Sequence, residues 1–182
     1  MATKDLQTQF KEEIAPKLQK ELGIKNVNAV PKVEKITLNI GIGSIIQSQG
    51  KDFSHIEENL TKITGQKPVV TKARKAISNF KIREENPVGL TVTLRGKRMY
   101  DFLGKLINIT LPRVRDFRGL SPRAFDRNGN YSLGFKEHIV FPEINADDVL
   151  HLHGVQITIN TSAKTDEEGK ALLKAFNFPF KK

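Results

Sequence analysis

The residues with the clearest capacity for chemistry are six lysines and arginines within residues 65–83, a stretch that reads GQKPVVTKARKAISNFKIR. No Asp or Glu occurs between Glu58 and Glu84, and one aromatic side chain, Phe80, lies among the cations. Cationic side chains at this density repel one another unless a polyanion lies against them. A solvated charged surface is the alternative interpretation of such a run. The distribution of charge along the rest of the chain favours a polyanion.

The net charge of the chain is concentrated in its middle third. The 182 residues carry a formal charge of +10. Residues 59–127 contain 16 Lys and Arg against 5 Asp and Glu, a net charge of +11, whereas the rest of the chain has a net charge of −1. This asymmetry predicts one basic surface and an anionic partner.

Two classes of protein are disfavoured by what the sequence lacks. Because there is no cysteine, the chain has no disulfide framework, no thiolate nucleophile and no cysteine-ligated metal, which fits the reducing cytosol. No apolar run approaches the ~18 residues of a membrane span, and the first residues lack the apolar core of a signal peptide. We therefore expect a soluble, cytoplasmic protein without a membrane partner.

Catalytic and metal sites find little support in the sequence. His151 and His153 would lie on one face of a strand, but no third ligand is evident, and zinc prefers a closed tetrahedral set. The calcium-loop spacing from Asp126 to Glu137 fails because Tyr131 stands where that loop requires glycine. No local motif nominates a nucleophile or an acid–base pair. We expect no enzyme activity, no cofactor and no small-molecule substrate, with an RNA-processing enzyme and a membrane-surface binder as the weaker alternatives.

Three predicted strands carry polar faces that RNA could contact. Residues 33–42 alternate between apolar residues and polar ones such as Lys35 and Asn39, a pattern typical of a half-buried strand. Residues 87–95 and 155–161 alternate in the same way. Asn, Thr, Gln and Arg on such faces can hydrogen-bond phosphates, ribose hydroxyls and base edges. The composition of these faces favours shape-based binding of RNA.

A pair of glycines ends the first predicted strand. Gly41 and Gly43 flank a single isoleucine. Missing side chains at this point would let another backbone or a ligand approach closely. A turn or a bulge is the alternative interpretation, and the spacing matches neither a dinucleotide-binding nor a Walker loop.

The first predicted helix is amphipathic. Apolar residues recur every four positions from Leu6 to Leu22, which indicates one buried stripe. Thr3 is the predicted N-cap, and Gly23 is the predicted C-cap. Pro16 is expected to kink the helix or to divide it, because its ring clashes with the carbonyl four residues back.

The remaining pattern predicts an α+β fold. A second helix is expected to end at Gly65, a third to stop before Pro112, and a last one to begin at the acidic residues 166–168. Asn128 and Gly129 form a good hairpin turn, because both residues tolerate positive φ. Strands and helices in this order favour one domain over residues 1–182, with an antiparallel sheet, helices packed on one face and a long exposed basic loop at residues 72–85.

The motifs together resemble a known family. In order along the chain they are NIGIG at 39–43, ITGQKPV at 63–69, ARKAISNFKIR at 73–83, RVRDFRGL at 113–120 and GNYSLGFKEHIVFPEI at 129–144. Over essentially its full length the chain is similar to the bacterial form of the fifth protein of the large ribosomal subunit, the family that binds 5S rRNA. The resemblance implies a place in the central protuberance of the ribosome, where the protein would help anchor 5S rRNA and would lie near 23S rRNA.

The resemblance also implies roles for individual residues. By matching motif, the positions that face rRNA are Asn39, Gly41, Gly43, Thr64, Gln66 and Thr93. The polar strand faces and the basic stretch add Lys35, Lys67, Thr91 and Arg95. The basic loop is expected to reach the elbow of P-site tRNA through Lys72, Arg74, Lys75, Ser78, Asn79, Phe80, Lys81 and Arg83. A bridge to a protein of the small-subunit head is expected at Arg113, Arg115, Asp116, Arg118, Gly119 and Glu143.

Overall fold

The computed structural model describes residues 5–43, 45–46, 52–145, 149 and 152–181 of the chain. Its strands form a five-stranded antiparallel sheet in the order β2-β3-β1-β5-β4. They are β1 (Val33–Gly41), β2 (Val69–Lys72), β3 (Pro87–Leu94), β4 (Tyr131–Phe135) and β5 (Val155–Thr161). The three strands predicted from alternation are all present.

Helices pack around this sheet, which confirms the predicted α+β class. In the described residues they are α1 (Leu6–Gln9), α2 (Ala15–Glu21), α3 (Ser54–Thr64), α4 (Gly96–Lys105), α5 (Leu111–Arg113) and α6 (Asp166–Ala175). As predicted, α3 ends just before Gly65, and α6 begins at the acidic residues, capped by the hydroxyl of Thr165. The described part of the chain contains no helix with the length and apolar character needed to cross a bilayer.

The chain contains two compact units. The first comprises Met1–Ile36, Leu94–Leu133 and Ile157–Lys182, and the second comprises Thr37–Thr93 and Gly134–Gln156. The expectation that residues 1–182 form a single domain stays a prediction.

Two prolines lie inside helical segments, and each follows a π-helical turn. Pro16 comes just after the π turn Phe10–Ile14, and Pro112 just after the π turn Leu106–Thr110. Hydrogen bonds in a π turn reach five residues back rather than four, so the turn is wider and leaves room for the proline ring. Pro16 interrupts the first α-helix, as predicted. The prediction that the third helix stops before Pro112 is wrong, because the helical segment continues through this turn to Arg113.

The ends of the first helical segment follow capping rules. The carboxylate of Asp5 accepts a hydrogen bond from the backbone N–H of Gln7, which caps α1. Thr3, the predicted N-cap, lies outside the described residues. Gly23 adopts a φ of +65° just after α2, as predicted for a residue that closes a helix.

An aromatic cluster forms part of the core of the first unit. The ring of Phe10 stacks on that of Phe176 with their centroids 5.6 Å apart, and Tyr100 lies 6.2 Å from Phe10 and 6.4 Å from Phe176. All three side chains are buried. The cluster joins three helical segments that are distant in sequence, and aromatic pairs of this kind contribute about 0.5 to 1.5 kcal/mol each beyond their buried area.

The hairpin loop before β4 is present but differs in detail from the predicted turn. The carboxylate of Asp126 accepts hydrogen bonds from the backbone of Asn128 at 2.9 Å and of Asn130 at 3.1 Å. Gly129 has a positive φ, as predicted, but the second positive φ belongs to Arg127 rather than to Asn128. The Asp126 carboxylate organises the loop, so the strain of a positive φ at Arg127 is offset by local hydrogen bonds.

Two buried histidines form an unusual pair in the second unit. The rings of His138 and His153 stack 3.8 Å apart with an angle of 2° between their planes. The backbone N–H of His138 donates to the carbonyl of His153 at 3.1 Å, and the backbone N–H of His153 donates to Nδ1 of His138 at 3.5 Å. Burial lowers the pKa of both imidazoles, that of His153 to about 4. Positive charge on His138 opposes protonation of His153 further, and charge on His55 opposes protonation of both.

This pair predicts a loss of stability in mild acid. The folded-state pKa values lie below the ordinary value of 6.5, so the unfolded chain binds more protons below that pH. The contribution of the two neutral imidazoles to stability is therefore complete above pH 6.5 and is lost as pH falls toward about 4. Urea unfolding across this window should show that the free energy of unfolding decreases as the pH is lowered. The variant His153→Phe should reduce this dependence of the free energy of unfolding on pH. An unchanged slope in the variant would contradict this origin.

Candidate nucleic-acid interface

The polar faces of β1 and β3 lie side by side in the second unit. On β1, Asn39 is exposed while the flanking residues Leu38 and Ile40 are buried. On β3, Thr91 and Thr93 are half-buried. The Thr91 hydroxyl donates to the carbonyl of Leu38 at 3.1 Å, which ties the two polar rows together. The structure thus brings these predicted residues into one open polar surface.

The end of helix α3 places Gln66 beside this surface. Gly65 adopts the left-handed conformation and ends the helix. The Thr64 hydroxyl donates to the carbonyl of Leu60 at 2.7 Å and accepts from the backbone N–H of Gln66 at 3.3 Å. Nε2 of Gln66 then donates to the carbonyl of Thr93 at 3.4 Å. Gln66 is half-buried and Thr64 is buried, so Thr64 acts on this surface by positioning Gln66.

Within the described part of the chain, neither backbone conformation nor packing requires glycine at positions 41 and 43. Neither has a positive φ, and no atom lies within 4 Å of the position that a Cβ would take at either residue. Gly89 on β3 is different, because a Cβ there would lie 2.8 Å from Oγ1 of Thr71 and 3.1 Å from the carbonyl of Ile40. No conformational or packing requirement for glycine at position 41 is therefore evident among the described residues.

The predicted binding residues omit Thr37, although the alternation of β1 had placed it on the polar face, and they omit the buried Gly89. Thr37 lies on the polar row of β1, two residues before Asn39, and Gly89 lies close enough to Asn39 that its Cβ position is 3.8 Å from the Asn39 side chain. The alternation of β1 was the signal for Thr37. The signal for Gly89 was a glycine in the middle of an apolar strand, which indicates a close approach of another backbone.

Three further cations were predicted to face rRNA. Lys67, in the second unit, is exposed and lies 3.6 Å from the carboxylate of Glu57. An exposed ion pair of this kind contributes little, about 0 to 1 kcal/mol, so the charge of Lys67 remains accessible to another anion. Lys35 is half-buried on β1, and Arg95 is exposed as the first residue after β3. Both belong to the first unit.

The chain between β2 and β3 forms a hairpin, here called the basic arm (residues 72–85). Its base is held by a hydrogen bond from Ala73 to the carbonyl of Asn86, and Ile77 exchanges hydrogen bonds of 2.9 Å and 3.1 Å with Ile82. A 3-10 turn at Ser78–Phe80 forms its tip. The predicted tRNA-contact residues in it are all exposed: Lys72, Arg74, Lys75, Ser78, Asn79, Phe80, Lys81 and Arg83.

One ion pair joins the two ends of the basic arm. Nζ of Lys72 lies 2.7 Å from a carboxylate oxygen of Glu85. Both side chains are largely exposed, so the pair is weak and screened by salt. Within the described residues, Arg74, Lys75 and Lys81 form no ion pair of 4.0 Å or less. Their charge is therefore available to an external polyanion.

The residues predicted for a protein bridge fall in different units. Those of the arginine-rich segment lie in the first unit, whereas Glu143 lies in the second. Within that segment Asp116 and Gly119 have φ values of 51° and 95°. The exposed residues of the predicted bridge are Arg113, Arg115, Asp116, Arg118 and Glu143.

The metal site considered from the sequence gains no support. His153 is buried against His138 rather than facing an open cavity, and His151 lies outside the described residues. Among the residues that the structure describes, no group of three metal-binding side chains is close enough to hold an ion.

Comparison with known proteins identifies the family. Residues 26–83 match the family described as "Ribosomal protein L5", and residues 87–180 match the C-terminal region of the same ribosomal family. The chain is 56% identical to "Large ribosomal subunit protein uL5" of Psychrobacter cryohalolentis, over 97% of this chain and 98% of the relative. It is also 56% identical to the proteins of that name from Synechocystis sp., over 98% and 99%, and from Thermotoga maritima, over 97% and 96%.

These matches confirm the resemblance drawn from the motifs. They also agree with the expected absence of enzyme activity, because the family is structural, and they place the protein in the cytoplasmic ribosome. The chain therefore belongs to the ribosomal protein L5 family and is a structural constituent of the large ribosomal subunit.

Proposed function

We propose that the polar surface of β1, β3 and Gln66 binds 5S rRNA and so anchors it in the central protuberance of the large subunit. The observation that supports this proposal is that no atom of the described chain lies within 4 Å of the Cβ position of Gly41 or Gly43. A glycine inside a strand weakens the strand, because glycine loses more backbone entropy on folding than other residues and has no side chain to pack. A strand that keeps a glycine without a conformational or packing reason leaves room for something outside the chain.

The neighbouring groups suit an RNA backbone. Asn39 offers an amide that both donates and accepts, and the threonine hydroxyls do the same. Such groups hydrogen-bond phosphate and ribose oxygens and fix the register of an RNA strand. Lys67 beside them can neutralise a phosphate, and affinity should fall with salt by a slope of roughly 0.7 to 0.9 per neutralised phosphate. The role is binding without catalysis.

Filter binding with 5S rRNA tests whether the polar side chains of this surface bind through hydrogen bonds rather than through charge. Asn39→Ala and Gln66→Ala each remove hydrogen bonds but no charge, so we expect affinity to fall by about five- to tenfold, with the salt slope unchanged. Asn108→Ala, which removes an exposed amide elsewhere, is the matched control. Excess bulk tRNA should not displace 5S rRNA from the wild-type protein. Equal affinities for all three variants would refute the proposed surface.

We assign the basic arm to P-site tRNA. Its exposed tip combines cations with Phe80, which is 63% exposed and is suited to stack on a base or ribose. Arg74→Ala with Lys75→Ala should leave 5S rRNA affinity within about twofold, because both side chains are exposed and neither belongs to the proposed polar surface. The same change should weaken crosslinking of the subunit to P-site tRNA. Loss of 5S rRNA binding as severe as in the strand variants would overturn the assignment.

We propose two further partners, which are those that the family resemblance implies. Contact with 23S rRNA is proposed for Lys35 and Arg95, whose cationic groups suit phosphate. The bridge to a protein of the small-subunit head is proposed for the exposed stretch at Glu143, where an acidic side chain suits a basic partner surface.

A further inference from the structure

The hairpin loop before β4 contains the one Asn-Gly pair of the chain, Asn128-Gly129. In such a pair the backbone nitrogen of the glycine can attack the side-chain carbonyl carbon of the asparagine, because glycine has no side chain to obstruct the approach. The nitrogen gives up its proton, a five-membered succinimide ring forms, and the amide nitrogen leaves as ammonia. Water then opens the ring to aspartate or isoaspartate. The net reaction is hydrolysis of one side-chain amide, with no change of oxidation state.

The side chain of Asn128 is open to this reaction. It is exposed, and no described residue forms a hydrogen bond with its amide group. The neighbouring Asn130 differs, because its side-chain nitrogen donates to Asp126 at 2.8 Å and its side-chain oxygen accepts from the N–H of Thr161 at 3.0 Å. Asn130 also precedes the bulky Tyr131 rather than a glycine. It therefore serves as an internal reference in the same loop.

The attacking atom, the backbone nitrogen of Gly129, is held in place. Its N–H donates to Oδ1 of Asp166, in the first turn of α6, at 3.1 Å. The carbonyl of Gly129 accepts from the buried hydroxyl of Thr161 at 2.8 Å. A Cβ on Gly169 would lie 2.5 Å from the same carbonyl oxygen, so the loop lies directly against α6. These contacts restrain Gly129 at both its nitrogen and its carbonyl.

We propose that Asn128 is a deamidation site that the folded loop protects, and that it reacts when Gly129 separates from Asp166 and α6. The attack requires the nitrogen of Gly129 to lose its proton and to move toward the side chain of Asn128. A hydrogen bond to a carboxylate opposes the loss of that proton, and the buried contacts oppose the movement. The reaction therefore proceeds from a locally opened loop, whose population depends on the free energy of local opening rather than on global stability.

The products prevent the loop from closing as before. Aspartate at position 128 adds a carboxylate two residues from that of Asp126, and like charges repel. Isoaspartate carries the main chain through the side-chain carbonyl and so lengthens it by one carbon atom. This displaces Gly129 from its hydrogen bonds with Asp166 and Thr161. Deamidation at this site thus records that the hairpin loop of the first unit has opened.

Mass spectrometry of the chymotryptic peptide 126–131, after incubation of the full chain in mildly alkaline buffer, tests the proposal. Fragmentation of this peptide assigns a conversion of amide to acid to Asn128 or to Asn130. We expect the folded wild type to react at Asn128 at least about thirtyfold more slowly than the same chain in urea. In all samples Asn130 should react more slowly than Asn128.

Two variants remove the contacts of Gly129 separately. Asp166→Ala should raise the rate at Asn128 in the folded protein by about three- to tenfold, which is the effect of one lost hydrogen bond. Thr161→Val removes the hydroxyl that holds the Gly129 carbonyl, without a change of charge, and should also raise the rate. The matched control is Glu167→Ala, which removes an equal charge from an exposed position in the same helical turn. It should change the rate by less than about twofold.

Each contrary outcome would overturn the proposal. Equal rates in folded and urea-unfolded wild type would show that the loop gives no protection. Absence of reaction in urea would exclude Asn128 as a modification site. Equal acceleration by Asp166→Ala and Glu167→Ala would assign the effect to charge at the start of α6 rather than to the hydrogen bond. Urea unfolding of each variant completes the test, because acceleration in proportion to the loss of global stability would contradict a local opening.

Discussion

Replacing Gly41 by valine is expected to lower affinity for 5S rRNA by about ten- to a hundredfold while leaving the fold unchanged or slightly more stable. Valine is favoured in strands, whereas glycine weakens them. No atom of the described chain lies within 4 Å of the new Cβ position, so the substitution causes no internal clash. The isopropyl group would instead fill the space through which the RNA backbone approaches.

Gly134→Val is the matched control for this substitution. Gly134 is also an exposed strand glycine, on β4, and no described atom lies within 4 Å of its Cβ position either. Urea unfolding should show equal or increased stability for both variants, and filter binding should show a loss only at Gly41. Undiminished binding by Gly41→Val would mean that the open space is not the RNA contact. Loss of both binding and stability would mean that the glycine is structural.

Gly169→Ala is expected to have the largest effect on stability of any single methyl addition in the described helices. A Cβ at Gly169 would lie 2.5 Å from the carbonyl oxygen and 2.9 Å from the Cα of Gly129. Both are backbone atoms, so the hairpin loop or α6 must move. Overpacking of this kind costs about 2 to 3 kcal/mol, which for a protein of this size lowers the melting temperature by roughly 2 to 4 °C per kcal/mol.

The control for Gly169 is Gly104, a glycine in α4. Its Cβ would meet only the Leu6 side chain among the described residues, at an ordinary distance of 3.9 Å. Gly104→Ala should therefore stabilise the protein by about 0.5 to 1 kcal/mol, as expected for a helix position. Calorimetry on the two variants decides the point. Similar effects of the same sign would show that helix propensity, rather than the contact with Gly129, governs both sites.

Local signals in the sequence were sufficient where one residue type decides the outcome. Alternation predicted β1, β3 and β5, because the side chains of a half-buried strand must alternate. Gly65 and Gly23 predicted helix ends, because few other residues adopt a positive φ without strain. Pro112 misled the prediction, since it follows the π turn Leu106–Thr110, and such a turn has no composition signal of its own.

Long-range contacts explain what sequence patterns could not reveal. The close approach of Gly169 to Gly129 brings together positions that are far apart in the chain. The sequence around each glycine contains no signal of this contact. The stacking of His138 on His153 likewise depends on the fold. The motif predicted Thr64 and Gln66 together, but only the hydrogen bonds separate a buried positioning hydroxyl from an accessible amide.

The central claim is that 5S rRNA lies on the polar surface of β1 and β3, and amide NMR on the labelled protein tests it most directly. On addition of 5S rRNA, we expect the largest shift changes at Gly41, in the side-chain amides of Asn39 and Gln66, and along Thr91 and Thr93, with small changes in the basic arm. Changes confined to residues 72–85, with the strand signals undisturbed, would contradict the account and reduce the sheet to a scaffold for the arm.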